Sequence, residues 1–187
     1  MDTVKRTFAA FVEILEIAAI AIVTVLLIRN FLVQPFLVNG ASMEPNFSNN
    51  DYLLVDELAY RIREPERGEV VVFRYPGDES TFYIKRIIGL PGERLELKNG
   101  VLTIYNNENL EGIVLNEQYL SPGLSTRGDS DVTLTDNEYF VLGDNRSYSF
   151  DSRSWGQLPE ENLIGLVRLR LWPFTKVSAF GAPSYQQ

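Results

Sequence analysis

An unbroken apolar run, IAAIAIVTVLLI at residues 17–28, constrains this chain more than any other feature. As a helix that run spans about 18 Å, short of the roughly 30 Å hydrocarbon core of a bilayer. Extending it to residues 14–33 closes the gap and takes in Glu16, Arg29 and Asn30, each near an end, where long side chains reach the headgroups. Lys5 and Arg6 precede the segment and only Arg29 sits near its far end. That bias sets the N-terminus inside and the body outside. A buried soluble helix and a cleavable leader are the competing readings. Against the leader, the helix would run past Leu32, and no clean small-x-small site follows. The expectation is a retained single transmembrane helix, ended by Pro35. The chain then divides into a cytoplasmic tip and anchor at 1–34, an extracytoplasmic body at 35–180 and a tail at 181–187.

The residues that are missing narrow the chemistry. The 187-residue chain has no cysteine and no histidine. Disulfides, thiolate nucleophiles, histidine-based triads and His- or Cys-ligated metals are therefore excluded. A hydrolase built from this alphabet draws its base from Lys, Asp, Glu or a terminal amine. A formal charge of −8 speaks against nucleic acid as a partner, because phosphate binding needs a basic surface. Nothing in the sequence calls for a cofactor.

Beyond Pro35 short β-like runs dominate, at 52–55, 69–75, 82–88, 93–97, 101–105, 138–142 and 164–171, rich in Val, Ile, Leu, Tyr and Phe. Asn99-Gly100 is a two-residue hairpin signal, because both turn positions need positive φ. Residues 55–63 read as a brief helix. Residues 106–136 are polar and turn-rich, and read as an inserted lobe or cap. The expected fold is mainly β: the helix, then an antiparallel, barrel-like β domain with a smaller inserted lobe.

Three segments carry chemistry. In Asn39-Gly40-Ala41-Ser42-Met43-Glu44-Pro45, small residues before a serine allow close backbone approach, although turns use such residues for conformational reasons alone. In the strand Thr81-Phe82-Tyr83-Ile84-Lys85-Arg86-Ile87-Ile88, one basic side chain falls on each apolar face. The bland account is an edge strand guarded by charge. The functional account buries one cation. An ordinary lysine is neutral in about one molecule per thousand near pH 7.4, and apolar burial can lower its pKa by about three units. A neutral Lys85 beside Ser42 would accept the hydroxyl proton, whereas Arg86 cannot deprotonate. The third segment, Gly143-Asp144-Asn145-Arg146-Ser147-Tyr148-Ser149-Phe150-Asp151-Ser152-Arg153, alternates carboxylates, hydroxyls and guanidinia. It reads as a loop stapled by its own Asp–Arg pairs. In it Ser149 is a candidate for aiming the lysine, with Asp144, Arg146, Asp151 and Arg153 as a rigid support. The paired arginines leave these carboxylates no call for a metal.

In this order behind an N-terminal anchor, the segments resemble bacterial type I signal peptidases. Stretches 50–55, 67–73 and 83–92 add to the match, and the likeness runs to about Pro173. The resemblance implies a membrane-bound serine endopeptidase with Ser42 as nucleophile and Lys85 as general base. It implies a lysine-orienting hydroxyl at Ser149 and a supporting ion pair of Asp151 with Arg153. The implied partners are signal peptides of exported preproteins, cut after small-x-small motifs at the lipid surface of the plasma membrane. Val38, Met43, Tyr83 and Ile84 match groove-lining positions. Gly40 stands where some members carry a serine that donates to the oxyanion, and Ser147-Tyr148 replaces a polar pair. Two other readings share these features: a self-cleaving repressor-type Ser-Lys peptidase, and an anchored β-domain that binds exported peptides without cutting them.

Overall fold

The computed structural model describes residues 11–24 and 33–183. Residues 11–24 form a helix, α1, whose apolar side chains, Phe11, Ile14, Ile17 and Ile20 among them, are exposed. The transmembrane helix expected at 14–33 does not emerge in that form. Among the described residues no helix is long and apolar enough to cross a membrane, and residues 25–32 lie outside them. Val33, the expected last helical residue, instead opens strand β1 (Val33–Leu37). Pro35 fits there because β1 ends its sheet, where a missing N–H leaves no ladder bond unmade.

The body is mainly β, and every registered strand pair in it is antiparallel. After β1 come β2 (Tyr52–Asp56), a short helix α2 (Ala59–Ile62), β3 (Val70–Tyr75) and β4 (Asp78–Gly89). There follow β5 (Arg94–Lys98), β6 (Val101–Asn106), β7 (Asn109–Val114), β8 (Ser130–Thr133) and β9 (Glu138–Leu142). The short helix α3 (Ser152–Trp155), β10 (Leu158–Pro159), β11 (Leu163–Trp172) and β12 (Ser178–Ala179) complete the series. The larger sheet is an open path, β1-β2-β11-β3-β4-β9-β10, with β12 on β11; the smaller is β7-β6-β5-β8.

Local chemistry explains most of these boundaries. Asn99 (φ 52) and Gly100 (φ 81) both adopt positive φ and join β5 to β6, as the dipeptide predicts. The helix expected at 55–63 contracts to Ala59–Ile62. Burial of Leu53 and Val55 keeps the preceding residues in β2, and Asp56 Oδ1 then accepts from the Leu58 and Ala59 N–H groups to turn the chain. Strands β7 and β8 lie within the stretch read as unpatterned. Most of their side chains face solvent or are half-covered, so no apolar alternation marks them. The smaller sheet also takes β5 and β6, which begin before residue 106.

Three apolar clusters fill the body. Val38, Met43, Phe47, Leu53, Val55, Val70, Val72 and Val167 pack beneath the 39–47 loop. Leu95, Leu97, Leu102 and Ile104 of the smaller sheet pack on Ile88, Phe140 and Leu142 of the larger. The third cluster centres on Val71, Phe73, Ile87 and Val141. β4 links all three, since Ile84, Ile87 and Ile88 each belong to or pack against a different one. On one side β4 pairs with β3; on the other β9 covers only Arg86–Gly89, so among the described residues the edge at 82–85 has no neighbouring strand.

Phe73 is fully buried, with its ring 5.9 Å from Trp155 and 6.3 Å from Tyr83. Phe73→Ala is expected to cost about 3–5 kcal/mol of unfolding free energy, measured by urea denaturation.

Candidate active site

Ser42 sits on the turn that leaves β1. Val38 and Asn50 bracket that turn by donating, from their N–H groups, to Asp51 and Val38 carbonyls, and Met43 and Phe47 plug it into the first cluster. The loop after β9 docks against it. The Asn145 N–H donates to the Ser42 carbonyl at 3.0 Å, and Asn145 Nδ2 to the Ala41 carbonyl at 3.0 Å. Gly143 is required at this junction, because a Cβ there would collide with the Ser42 carbonyl oxygen and with Ser149 Oγ. Gly40 is required for a different reason: its φ is +107, although a Cβ would meet nothing within 4 Å.

Lys85 enters from the middle of β4 and is 3% exposed. Its Nζ lies 2.8 Å from Ser42 Oγ and 2.8 Å from the Ile84 carbonyl, and 5.3 Å from the centre of the Tyr83 ring. Burial pulls the Lys85 pKa down from 10.5 to about 8, against the opposing pull of the Asp151 and Asp144 carboxylates. The amine is therefore neutral in about one molecule in ten at pH 7, against about one in three thousand at its ordinary value.

Arg86, the next residue, points to the other face and holds the two loops together. Its Nε and Nη2 clasp Asp144 at 2.8 and 2.6 Å, and its Nη1 donates to the Gly68 carbonyl. Asn46 of the Ser42 loop donates to the same Asp144 carboxylate at 2.9 Å. The sequence reads as a loop stapled by Asp–Arg pairs of its own, but Asp144 finds its arginine outside the loop. Arg146 is fully buried and reaches Glu117, Thr126 and the Tyr119 hydroxyl from the 106–136 stretch, with Nε on the Gly143 carbonyl. Sequence spacing cannot reveal partners 58 and 29 residues away.

Asp151 and Arg153 do pair, with both Arg153 Nε and Nη2 at 2.8 Å. Burial alone would raise the Asp151 carboxyl. Bonds from Arg153 and the Gly143 N–H, with the nearby Ser149 hydroxyl, outweigh it and hold the group below the usual carboxylate range. Ser149 Oγ is buried beside that carboxylate but reaches no partner in good hydrogen-bonding geometry, so no bond joins it to Lys85. The group holding the lysine amine is the Ile84 carbonyl, a backbone atom that no side-chain motif announces.

Ser42 and Lys85 line a groove of about 350 Å³. Of the expected groove residues, Val38, Tyr83 and Ile84 line it, whereas Met43 is turned into the core beneath. Phe36, Leu53, Val72, Phe82, Tyr148 and Phe150 line it too.

This architecture and loop order accompany a family match. The family described as "Signal peptidase, peptidase S26" matches residues 11–172, and the chain belongs to it. Its named relatives are type I signal peptidases. A probable signal peptidase I-2 of Synechocystis is 38% identical over 164 residues, 84% of this chain and 71% of the relative. Signal peptidase I P of Bacillus subtilis subsp. natto is 34% identical over 187 residues, 94% and 97% of the two chains. Signal peptidase IB of Staphylococcus aureus is 31% identical over 169 residues, 84% and 87%. A crystal structure of a signal peptidase I from Enterococcus faecalis is 30% identical and covers 56% of this chain and 97% of that one, with a TM-score of 0.47.

The buried lysine carries a stability consequence. Its folded pKa of about 8 lies below the unfolded 10.5, so the unfolded chain binds more protons between those values and stability rises with pH across that window. Below pH 8 the full penalty of about 3 kcal/mol applies. Lys85→Met is expected to be more stable than wild type at pH 7 by up to that amount and to lack the rise between pH 8 and 10.5. Urea denaturation at a series of pH values measures both.

Proposed function

We propose that this protein is a membrane-anchored serine endopeptidase that removes signal peptides from exported preproteins after small-x-small motifs, with Ser42 as nucleophile and neutral Lys85 as general base. The observation that carries this reading is the 2.8 Å separation of Ser42 Oγ and Lys85 Nζ with the amine shut away from water. The family supports the reaction class, and the exposed apolar side chains of α1 suit an anchor.

The steps follow from the geometry. An amine N–H given to the Ile84 carbonyl fixes the rotation of the Lys85 head, leaving its lone pair for the Ser42 proton. As that proton moves to Nζ, Ser42 Oγ bonds to the scissile carbonyl carbon, whose oxygen takes the negative charge. The Ser42 N–H has no acceptor among the described residues and is free to receive that oxyanion. Gly40 does not help: it has no side chain, and its N–H is given to Asn49 Oδ1 at 2.9 Å. The Lys85 ammonium then protonates the leaving amine as the C–N bond breaks. Neutral again, Lys85 takes a proton from the water that attacks the acyl ester, and returns it to Ser42 Oγ as the ester C–O bond breaks. Ser149, Asp151, Arg153, Asp144 and Arg146 serve as the support that keeps the two loops in register.

Incubating detergent-solubilised protein with a preprotein carrying an Ala-x-Ala site tests the reading. Ser42→Ala and Lys85→Ala are each expected to lose at least a thousandfold in kcat/KM. Processing that survives either change removes the mechanism, and none by the wild type favours a peptide-binding domain instead.

The pH profile tests the base separately. The active form is the deprotonated one, so kcat/KM is expected to fall about tenfold per pH unit below about 8 and to level off above it. A flat profile down to pH 5 contradicts a lysine base.

A further inference from the structure

The groove has two unlike walls, and alternation along β4 separates them. Phe82 and Ile84 turn to one face of the strand, and Tyr83 and Lys85 to the other. On the first face Ile84 and Phe36 pack against Val38, Leu53 and Val72 of the first cluster, which makes a closed apolar floor. On the second face the Tyr83 ring lies 5.0 Å from Tyr75, and Tyr75 lies 5.8 Å from Phe150. This aromatic series starts in the core and ends at the groove, where Phe150 is 51% and Tyr148 81% exposed. Two large rings left wet on the lip of a cleft mark a contact surface.

We propose that Tyr148 and Phe150 form a subsite for the substrate residue one before the cleaved residue, and that the protein favours a large apolar side chain there. The inference rests on the peptidase reading above and adds selectivity at the x of small-x-small, which that reading leaves open. An extended chain added to the free edge of β4 presents alternate side chains to the two faces. The residues on either side of x meet the floor, whose walls are fixed core side chains, and must be small. The x side chain meets the aromatic lip, which opens to solvent and accepts bulk. Phe or Leu at x covers both rings from water; Ser or Gly leaves them wet.

The test is a set of otherwise identical Ala-x-Ala peptides with x as Phe, Leu, Ser or Gly. They are cut by wild type, Tyr148→Ser, Phe150→Ser and the double variant. The quantity read is the Phe-to-Ser ratio of kcat/KM within each protein, so any general loss of activity cancels. Wild type is expected to prefer Phe by roughly tenfold, mostly through KM, and the double variant by twofold or less. A ratio near one in wild type, or the same ratio in the double variant, overturns the proposal. Should wild type cut no peptide, the peptidase reading fails, and Kd values for the same peptides on Ser42→Ala protein, read by fluorescence polarisation, decide the subsite. A Phe-to-Ser preference lost in Ser42→Ala/Tyr148→Ser/Phe150→Ser supports it, and equal affinities overturn it.

Discussion

The Arg86–Asp144 ion pair ties together the three parts of the chain that build the site. Arg86 stands on β4, Asp144 on the loop after β9, and Asn46, on the same carboxylate, belongs to the turn that carries Ser42. A two-residue period sends Lys85 and Arg86 to opposite sides of one strand. Fixing the arginine therefore fixes where the lysine goes. The pair is buried, so removing either partner leaves an unmatched charge in the core, which typically costs about 3–5 kcal/mol. The position of the amine depends on that constraint, and its lowered pKa depends on its position.

Two neighbouring cations on β4 thus end in opposite electrostatic situations. Arg86 keeps its charge because a bidentate carboxylate and the Gly68 carbonyl replace its water. Lys85 has a hydroxyl and a carbonyl within reach, neither ionised, and the Asp151 and Asp144 carboxylates only partly offset its loss of solvent. Asp151 accepts strong bonds from Arg153 and the Gly143 N–H, which limits what it offers the amine.

Much of this was legible in the chain because it rests on local patterns. Apolar runs marked seven of the strands, Asn99-Gly100 marked the hairpin, and a lysine on an apolar strand marked the cation that the fold sets 2.8 Å from Ser42. The wrong or missing pieces are those set by distant partners or by backbone. Asp144 and Arg146 belong to a loop that reads as stapled by its own Asp–Arg pairs, yet each has a partner across the fold. Ser149 is the side chain the sequence offers for aiming Lys85, yet the bond seen from the amine beside Ser42 runs to a main-chain carbonyl. Met43 looked like groove lining and proved to be core. Strands β7 and β8 were invisible because neither is buried enough to need apolar alternation.

The unpaired stretch of β4 has a wider consequence. Among the described residues no strand meets its main-chain groups on that side, and every polypeptide carries their complement at every non-proline residue. On the proposed reading, a peptide that docks there is read first for being extended and only then for the bulk of a few side chains. Proteins with no common sequence can thus share one such berth, provided each can offer a short unfolded stretch of suitable girth.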